Sequence, residues 1–512
     1  MGELSGLSLP GEQNSKVEED QTSKALHHDL ARSLSKGRKY ALLAVFSMGL
    51  FMDVVGFSVF FVMVSSTAED LGISTAEETW IITSYGVTFA SFLLFWGRVS
   101  DLYSPKLVFT FGFIGLGIAN IIISFLTNPI AFFVVRAISG LCGACLVPSC
   151  YRLITSIFTK EELSFAFTVY GITGSIANSS GVIIGGALLQ IPATGQLVGW
   201  RWYFRIAAAL ILPAATLSFF LIPKARGENA ASHSKLKRMD LPGVFLILSA
   251  SLLLIVGLTL GASRGFSRPS FYVPLIISFL LYPSFFLWER RLEDGFALIP
   301  SRTWQNPNFL LWSVLALLVY GWWAAEFVAQ AETYMQVHND LPIIAGIRLL
   351  PQGITAFSMS LVLIKYPAIS TKPRFAVIGG FVVSIVAYVL FILGGARTDS
   401  DYWKFTFPAS IIGSPAMQIV MNSCNVCAMM SVDPHESGVA GAILQTSFQI
   451  GSTVALSIQS GLLTVYPNSY FDIRNIRASW YFMLGWTAVW LIMFAALYRQ
   501  PREKSSGTRA AH

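Results

Sequence analysis

Residues 40 to 64 read YALLAVFSMGLFMDVVGFSVFFVMV, a run that is apolar apart from a few small polar side chains and one acid, Asp53. An α-helix rises about 1.5 Å per residue, so a run of this length crosses the roughly 30 Å hydrocarbon core of a bilayer. The stretch therefore predicts a transmembrane helix that carries a carboxyl group about halfway along its length.

Similar runs of roughly 19 to 28 residues follow one another to the end of the chain, separated by short polar breaks. Together they predict an all-α polytopic membrane protein with about 14 transmembrane helices. The approximate predicted spans are 40 to 64, 78 to 97, 107 to 127, 130 to 157, 165 to 190, 201 to 222, 241 to 262, 270 to 288, 308 to 331, 343 to 364, 374 to 394, 403 to 430, 438 to 464 and 478 to 497.

The composition agrees with this prediction. Of the 512 residues, 54% are apolar and only 12% are charged. That charged fraction is about half of the quarter typical of soluble domains, so it cannot cover several globular surfaces. It excludes a conventional cytosolic enzyme, and the high apolar content excludes a disordered scaffold.

The chain offers few candidate ligands for a metal or cofactor. Its five cysteines include two CxxC spacings, Cys142 with Cys145 and Cys424 with Cys427, but both lie in apolar runs and are interpreted as small packing residues. None of the six histidines lies inside a predicted span. We therefore expect no metal site, no bound cofactor and no enzymatic activity.

Basic residues indicate the orientation. An even number of spans places both termini on one side, and placing them in the cytoplasm puts most connecting Arg and Lys residues there as well. The net charge of +7 is then a topology signal, and binding to nucleic acid is not expected. We expect a monomer in the lipid bilayer of the plasma membrane, with cytoplasmic termini.

Two polar breaks, at 223 to 240 and 289 to 307, divide the chain. They predict a disordered cytoplasmic tail at 1–39, a six-helix bundle at 40–222, and a cytoplasmic loop with two inserted transmembrane helices at 223–307. A second six-helix bundle at 308–497 and a cytoplasmic tail at 498–512 follow. Gly97 to Phe113 aligns weakly with Lys365 to Phe381, as expected for the parallel repeats of one class of transporters.

Three ionisable residues lie within predicted spans, where a charge costs roughly 2.5 to 3.5 kcal/mol or more. They are Asp53, Arg136 and Glu326. Asp53 and Arg136 could form a purely structural ion pair; alternatively, a carboxyl group in a low-dielectric cavity can exchange a proton and couple transport to a proton gradient. Glu326 is a candidate proton or cation site, or an interfacial residue beside an aromatic belt.

The fifth predicted span is rich in small residues, among them Gly181, Gly185 and Gly186. Small side chains let helix backbones approach closely, and here they could form a moving interface between bundles or a static one. The hairpin after the second span contains Gly97, Asp101 and Lys106. Asp101 can meet a helix N-terminus or an Arg, and such a hairpin could join two bundles reversibly at the cytoplasmic gate.

The hairpin residues Gly97, Asp101 and Lys106 resemble the motif between helices two and three of the major facilitator superfamily. Ser104 and Pro105 stand where many members have Gly and a basic residue. The fourth span resembles the RxxxGxxG motif of this family, and GVIIGG in the fifth span resembles its antiporter motif GPxxGG, with Val where Pro is usual. These motif residues are Arg136, Gly140, Gly143, Gly181, Val182, Gly185 and Gly186.

Three later segments are similar to landmarks of the fourteen-helix drug:proton antiporter branch, especially its fungal members. They are Trp200 to Phe204, Ala345 to Pro351 and Asp433 to Gly438. The resemblance implies two six-helix bundles, alternating access, and export of drugs, toxins or secondary metabolites in exchange for protons. The alternative is proton-coupled uptake of a nutrient or organic anion on the same fold.

On this interpretation the first, fourth, fifth and ninth helices line a central cavity. Asp53 and Glu326 are the candidate proton sites, and Arg136 organises the relay between them. Aromatic and amide side chains are candidates for contact with a small organic substrate, namely Asn178, Trp322, Trp323, Gln445 and Gln449.

Overall fold

The structure is a computed structural model that describes residues 34–74, 77–191, 193–223, 239–292, 296–299, 307–334, 338, 340–394, 399–432, 436–463 and 473–498. Within these ranges the regular secondary structure is helical. Most of the predicted tail 1–39, nearly all of the tail 498–512, the basic loop at 224–238 and His435 lie outside the described residues.

Fourteen long helices occupy the described ranges, one for each predicted span. They are α1 (Lys36–Ser58), α2 (Thr79–Leu102), α3 (Pro105–Phe125), α4 (Pro129–Ile157), α5 (Lys160–Leu188), α6 (Gly199–Leu221), α7 (Leu241–Arg264), α8 (Pro269–Glu289), α9 (Pro307–Glu332), α10 (Pro342–Lys365), α11 (Arg374–Gly394), α12 (Phe407–Met430), α13 (Ser437–Leu462) and α14 (Ile473–Leu497). Shorter helical segments include Phe60–Leu71, which continues α1, and Ala368–Thr371.

Twelve of these helices are long and apolar enough to cross a membrane. The other two, α5 and α12, are also long but less apolar. A polytopic membrane protein is thus confirmed, whereas the exact number of fourteen spans stays a prediction.

Local sequence explains where several helices begin and end. Pro105 and Pro129 start α3 and α4, where the missing N–H of proline is tolerated because first-turn N–H groups have no intrahelical partner. Asn128 caps α4 by accepting from the N–H groups of Ile130 and Ala131. The extension of α1 stops at Gly72, whose positive φ of 64° suits glycine.

The helices pack as two bundles, α1 to α6 and α9 to α14. Across the seam between the bundles, α5 packs on α10 and α2 packs on α13. The inserted helices α7 and α8 pack on each other, and α7 also lies against α2 and α13. We call the end that holds the start of α1 and the end of α2 the base, and the opposite end the top.

Within each bundle some helices touch backbone to backbone. A Cβ atom added at Gly140 of α4 would lie 2.3 Å from the Tyr85 carbonyl oxygen of α2. One added at Gly451 of α13 would lie 1.8 Å from the Leu317 carbonyl oxygen of α9. Close approach of this kind needs a residue without a side chain.

We therefore expect Gly451→Ala to destabilise the protein by about 1 to 3 kcal/mol, because the added methyl group forces α9 and α13 apart. The midpoint of thermal unfolding in detergent measures this. Gly379→Ala in α11 is the matched control, since a Cβ there meets nothing within 4 Å. Equal midpoints for the two variants would show that the crossing of α9 and α13 is not tightly packed.

Candidate functional site

A cavity with an empty volume of about 1030 Å³ lies between the two bundles. The structure places α1, α5 and α9 at this cavity, as expected, together with α2, α10, α12 and α13. Instead of lining it, α4 contributes Val147 and Tyr151 to a smaller neighbouring cavity of about 470 Å³. The expected role of the fourth helix is thus corrected, because its inner face is covered by α2.

Seven aromatic rings line the larger cavity. They come from both bundles, which lets a flat ligand contact each of them. The rings are those of Phe57, Phe61, Tyr85, Phe89, Tyr320, Trp323 and Phe327. Ser175, Asn178, Ser179, Gln352, Gln449 and Ser452 supply polar groups.

Asp53 lies on the wall of both cavities and is 6% exposed. Its Oδ1 atom accepts a hydrogen bond from the hydroxyl group of Tyr85 on α2. Among the described lining residues of the two cavities, Asp53 is the only Asp, Glu, Lys, Arg or His. Asp53 is therefore the carboxyl group of this cavity wall.

Arg136 has other partners than Asp53 among the described residues. Its guanidinium group donates to the carbonyl oxygens of Gly56 at 3.3 Å and Ile81 at 3.3 Å. The same group lies over the rings of Phe60, at 4.4 Å, and Tyr85, at 5.2 Å. The structural ion pair considered from the sequence is not formed, and Tyr85 connects the two charged residues indirectly.

Glu326 does not line either cavity. It is 1% exposed inside the second bundle, where its Oε1 atom accepts from the Gln330 amide and its Oε2 atom has no hydrogen-bond partner among the described residues. This burial excludes the interfacial belt position considered from the sequence. It also separates Glu326 from the cavity that holds Asp53.

Of the two neighbouring tryptophans of α9, only Trp323 lines the cavity. Trp322 packs instead against Gly413 and the ring of Tyr388, at a centroid distance of 5.9 Å. Consecutive helical residues point about 100° apart, so both could not face the same side. The expectation that Trp322 contacts substrate is corrected on this ground.

The predicted amide residues divide between the two cavities. Asn178 lines the larger one, and Gln449 lines both. Gln445 lines the smaller cavity and donates to the Tyr151 hydroxyl at 3.3 Å. Sequence reasoning missed Gln352 of α10, although an amide directly after a proline within an apolar span was a visible signal.

The glycines of α5 face two different neighbours. A Cβ at Gly181 would lie 1.9 Å from Ser58 Oγ, and one at Gly185 would lie 3.0 Å from the Val59 carbonyl oxygen, both within the first bundle. Only Gly186 faces the other bundle, 3.4 Å from the Ile343 Cα atom of α10. Two of the three proposed gate glycines therefore make their close contacts inside one bundle.

At the base, Asp101 joins the two bundles. Its carboxylate accepts from the backbone N–H groups of Gly438, at 3.1 Å, and Val439, at 2.8 Å, in the first turn of α13. It also pairs with Arg152 Nε at 3.5 Å. An acid at a helix N-terminus is favoured by the unpaired N–H groups and the helix dipole. The sequence predicts that Asp101 contacts either a helix N-terminus or an Arg, and in the structure it contacts both.

The other two hairpin residues, Gly97 and Lys106, contact different parts of the protein. Gly97 permits the approach, since a Cβ there would lie 2.7 Å from the Cβ of Ala442 on α13. Lys106 instead stays within the first bundle, where its Nζ donates to the Ile222 carbonyl oxygen at the end of α6, at 2.7 Å. We call the contact of Gly97 and Asp101 with α13 the base contact.

Comparison with known proteins agrees with this architecture. The model of the Major Facilitator Superfamily matches residues 46–456. The chain belongs to the Major Facilitator Superfamily. It is thus a multi-pass membrane transporter, and its two bundles around a central cavity are consistent with secondary transport by alternating access.

Its relatives include exporters. The chain is 27% identical over 439 residues to the puromycin resistance protein pur8 of Streptomyces alboniger, covering 85% of this chain and 83% of that protein. It is 25% identical over 501 residues to the efflux pump terJ of Aspergillus terreus, with 94% and 93% covered. These names support the drug-exporter branch inferred from the motifs.

A solved structure shares the fold. The human organic anion transporter MFSD10 superposes with a TM-score of 0.60, covering 88% of this chain and 99% of that one. The sequence identity is 14%, so this likeness concerns the arrangement of helices alone.

Replacing Asp101 with Ala should open the base, because two hydrogen bonds to α13 and the contact with Arg152 are lost. Spin labels on cysteines introduced at Leu107 and Met430, which are exposed on opposite bundles, report the separation after the five native cysteines are replaced by serine. We expect longer distances in Asp101→Ala than in Glu69→Ala, an exposed acid near the top. Unchanged distances would mean that the base contact does not hold the bundles together.

Truncation of Trp322 and of Trp323 should affect different properties of the protein. Trp322→Ala removes a fully buried side chain and should cost about 3 to 5 kcal/mol of stability, whereas Trp323→Ala should mainly weaken substrate binding. Thermal unfolding and ligand binding, measured on both variants, separate the effects. The assignment fails if Trp322→Ala retains wild-type stability but loses binding.

Proposed function

We propose that this transporter exports small organic compounds, such as drugs, toxins or secondary metabolites, in exchange for protons. One observation carries the proposal: a single carboxyl group, Asp53, lies on the wall of an otherwise aromatic and uncharged cavity between the bundles. The proton gradient supplies the energy, without a bound cofactor. The protein acts as a monomer in the plasma membrane, with both termini in the cytoplasm.

The position of Asp53 supports proton exchange. Removing a carboxyl group from water favours its neutral form, whereas the hydrogen bond from Tyr85 favours the ionised form. Because the carboxyl group shares its cavity with the substrate, proton binding and substrate binding influence one another, as exchange requires.

The contacts between the bundles support alternating access. At the base the bundles are joined through Asp101 and α13. These are hydrogen bonds to backbone N–H groups, which water can replace when the bundles separate. Two further roles belong to the proposal. Arg136 organises the first bundle around Asp53, and Glu326 is a second proton site in the other bundle.

The relatives support the direction of transport. Their names include puromycin resistance, an efflux pump, and a tetracenomycin C resistance and export protein. Uptake by proton symport is the alternative on the same fold. Intracellular accumulation of a compound distinguishes the two, because an exporter lowers it and an importer raises it.

Asp53→Asn should abolish transport driven by a pH gradient, because the amide cannot take up a proton. Purified protein in liposomes, with labelled puromycin and tetracenomycin C as probes, provides the assay. Exchange of labelled for unlabelled compound without a gradient should persist, since it needs only binding and reorientation of the bundles. Asp53→Glu is the matched control that restores a carboxyl group.

Gradient-driven transport by Asp53→Asn at the wild-type rate would remove Asp53 from the coupling mechanism. Glu326→Gln is measured in parallel. Loss of the gradient-driven component in that variant alone would transfer the coupling role to Glu326.

A further inference from the structure

Gln352 of α10 is an unusual cavity residue. It lies on the wall of the larger cavity, its side chain is 2% exposed, and neither its Oε1 nor its Nε2 atom has a hydrogen-bond partner among the described residues. A buried amide without partners is unfavourable, because the interactions it made with water are not replaced. Such a group in a native structure calls for a physical reason.

Two other buried amides of the described residues, Gln418 and Asn422, are hydrogen-bonded. Gln418 accepts from Ser175 and donates to Ser360, and Asn422 donates to Thr168 and Ser370. Gln418 of α12 thereby connects to α5 and α10, and Asn422 of α12 connects to α5 and to the short helix at Ala368–Thr371. The lack of partners at Gln352 is thus a local property of the cavity wall and not of amides in this protein generally.

Packing fixes the position of Gln352. The next residue, Gly353, lies so close to α5 that a Cβ there would be 2.3 Å from Ser179 Oγ. This contact sets the rotation of α10 about its axis and leaves Gln352 beside the cavity. The backbone that carries Gln352 is therefore held beside the cavity before any ligand binds.

Trp323 adds a second group of the same kind. Its ring lines the same cavity, and its Nε1–H donor is also buried without a partner. The amide of Gln352 offers one donor and one acceptor side by side, and the indole offers a donor. The described lining residues include no Lys, Arg or His that would bind an anion.

We propose that Gln352 is the residue that selects substrates, by pairing its amide with a neighbouring hydrogen-bond donor and acceptor on an uncharged aromatic compound. Compounds with a carboxamide, or with a hydroxyl group beside a carbonyl, carry such a pair. Organic anions are disfavoured, because the cavity already holds Asp53 and has no positive side chain facing it. The inference rests on the proposed function only in taking this cavity as the substrate site.

Three fluorescent probes of nearly equal shape test the inference: anthracene carboxamide, acetylanthracene and anthracene carboxylate. The carboxamide has a donor and an acceptor, the ketone has only the acceptor, and the carboxylate is an anion. Binding to the purified full-length protein in lipid nanodiscs is measured by quenching of tryptophan fluorescence. The wild-type protein should bind the carboxamide about tenfold more tightly than the ketone, and the carboxylate least.

Gln352→Met keeps the size of the side chain and removes both hydrogen-bonding groups. It should lose the tenfold preference for the carboxamide, with a smaller loss of affinity for the ketone, which gives up one hydrogen bond where the carboxamide gives up two. Gln459→Met is the matched control, because that buried amide donates to the Ala325 carbonyl oxygen and lines neither cavity. The control should keep the preference.

A second variant, Gln352→Glu, keeps the acceptor oxygens without the amide donors. It should keep or increase the preference for the carboxamide, because its oxygens still accept from the carboxamide N–H group while the ketone loses its donor. Equal weakening of all three probes by Gln352→Met, or no change in any of them, would overturn the inference. Its failure is distinguishable from failure of the proposed function. Proton-driven transport can persist without a role for Gln352, and probe selection by Gln352 can persist without proton coupling.

Discussion

Burying Asp53 and Arg136 inside a helical bundle costs free energy unless each finds partners in the protein. The structure provides them separately: a tyrosine hydroxyl for Asp53, and carbonyl oxygens with aromatic faces for Arg136. Because the two charges do not neutralise each other, Asp53 keeps a free side towards the cavity. The arrangement of α1, α2 and α4 around these groups follows from this requirement.

Contacts within a bundle differ in kind from contacts between bundles. Within bundles, glycines such as Gly140 and Gly451 let backbones touch, and such packing cannot be shifted without steric overlap. Across the seam, hydrogen bonds of polar side chains are prominent, including those of Asp101 with α13 and of Tyr151 with Asn425. Hydrogen bonds can be exchanged with water, so the seam can open while each bundle stays rigid.

The inserted pair is part of this seam. α7 lies against both α2 and α13, the same two helices that the base contact joins. Ser460 of α13 donates to the Ala262 carbonyl oxygen of α7 at 3.4 Å, near the top. α7 therefore bridges the seam between the two bundles.

The sequence by itself determined the helices, the membrane location and the family, and it singled out Asp53 and Asp101 as residues to test. Length, apolar composition and first-turn residues act locally, so they can be recognised without knowledge of the neighbours. Tertiary structure alone decided which side of each helix faces the cavity. It showed that Trp323 faces the cavity and Trp322 does not, and it placed Glu326 and Gly181 away from the seam. It also showed that the buried Gln352 amide has no hydrogen-bond partner among the described residues. The physical reason is that a helix apolar on all sides carries little information about its rotation, which is fixed by close packing against other helices.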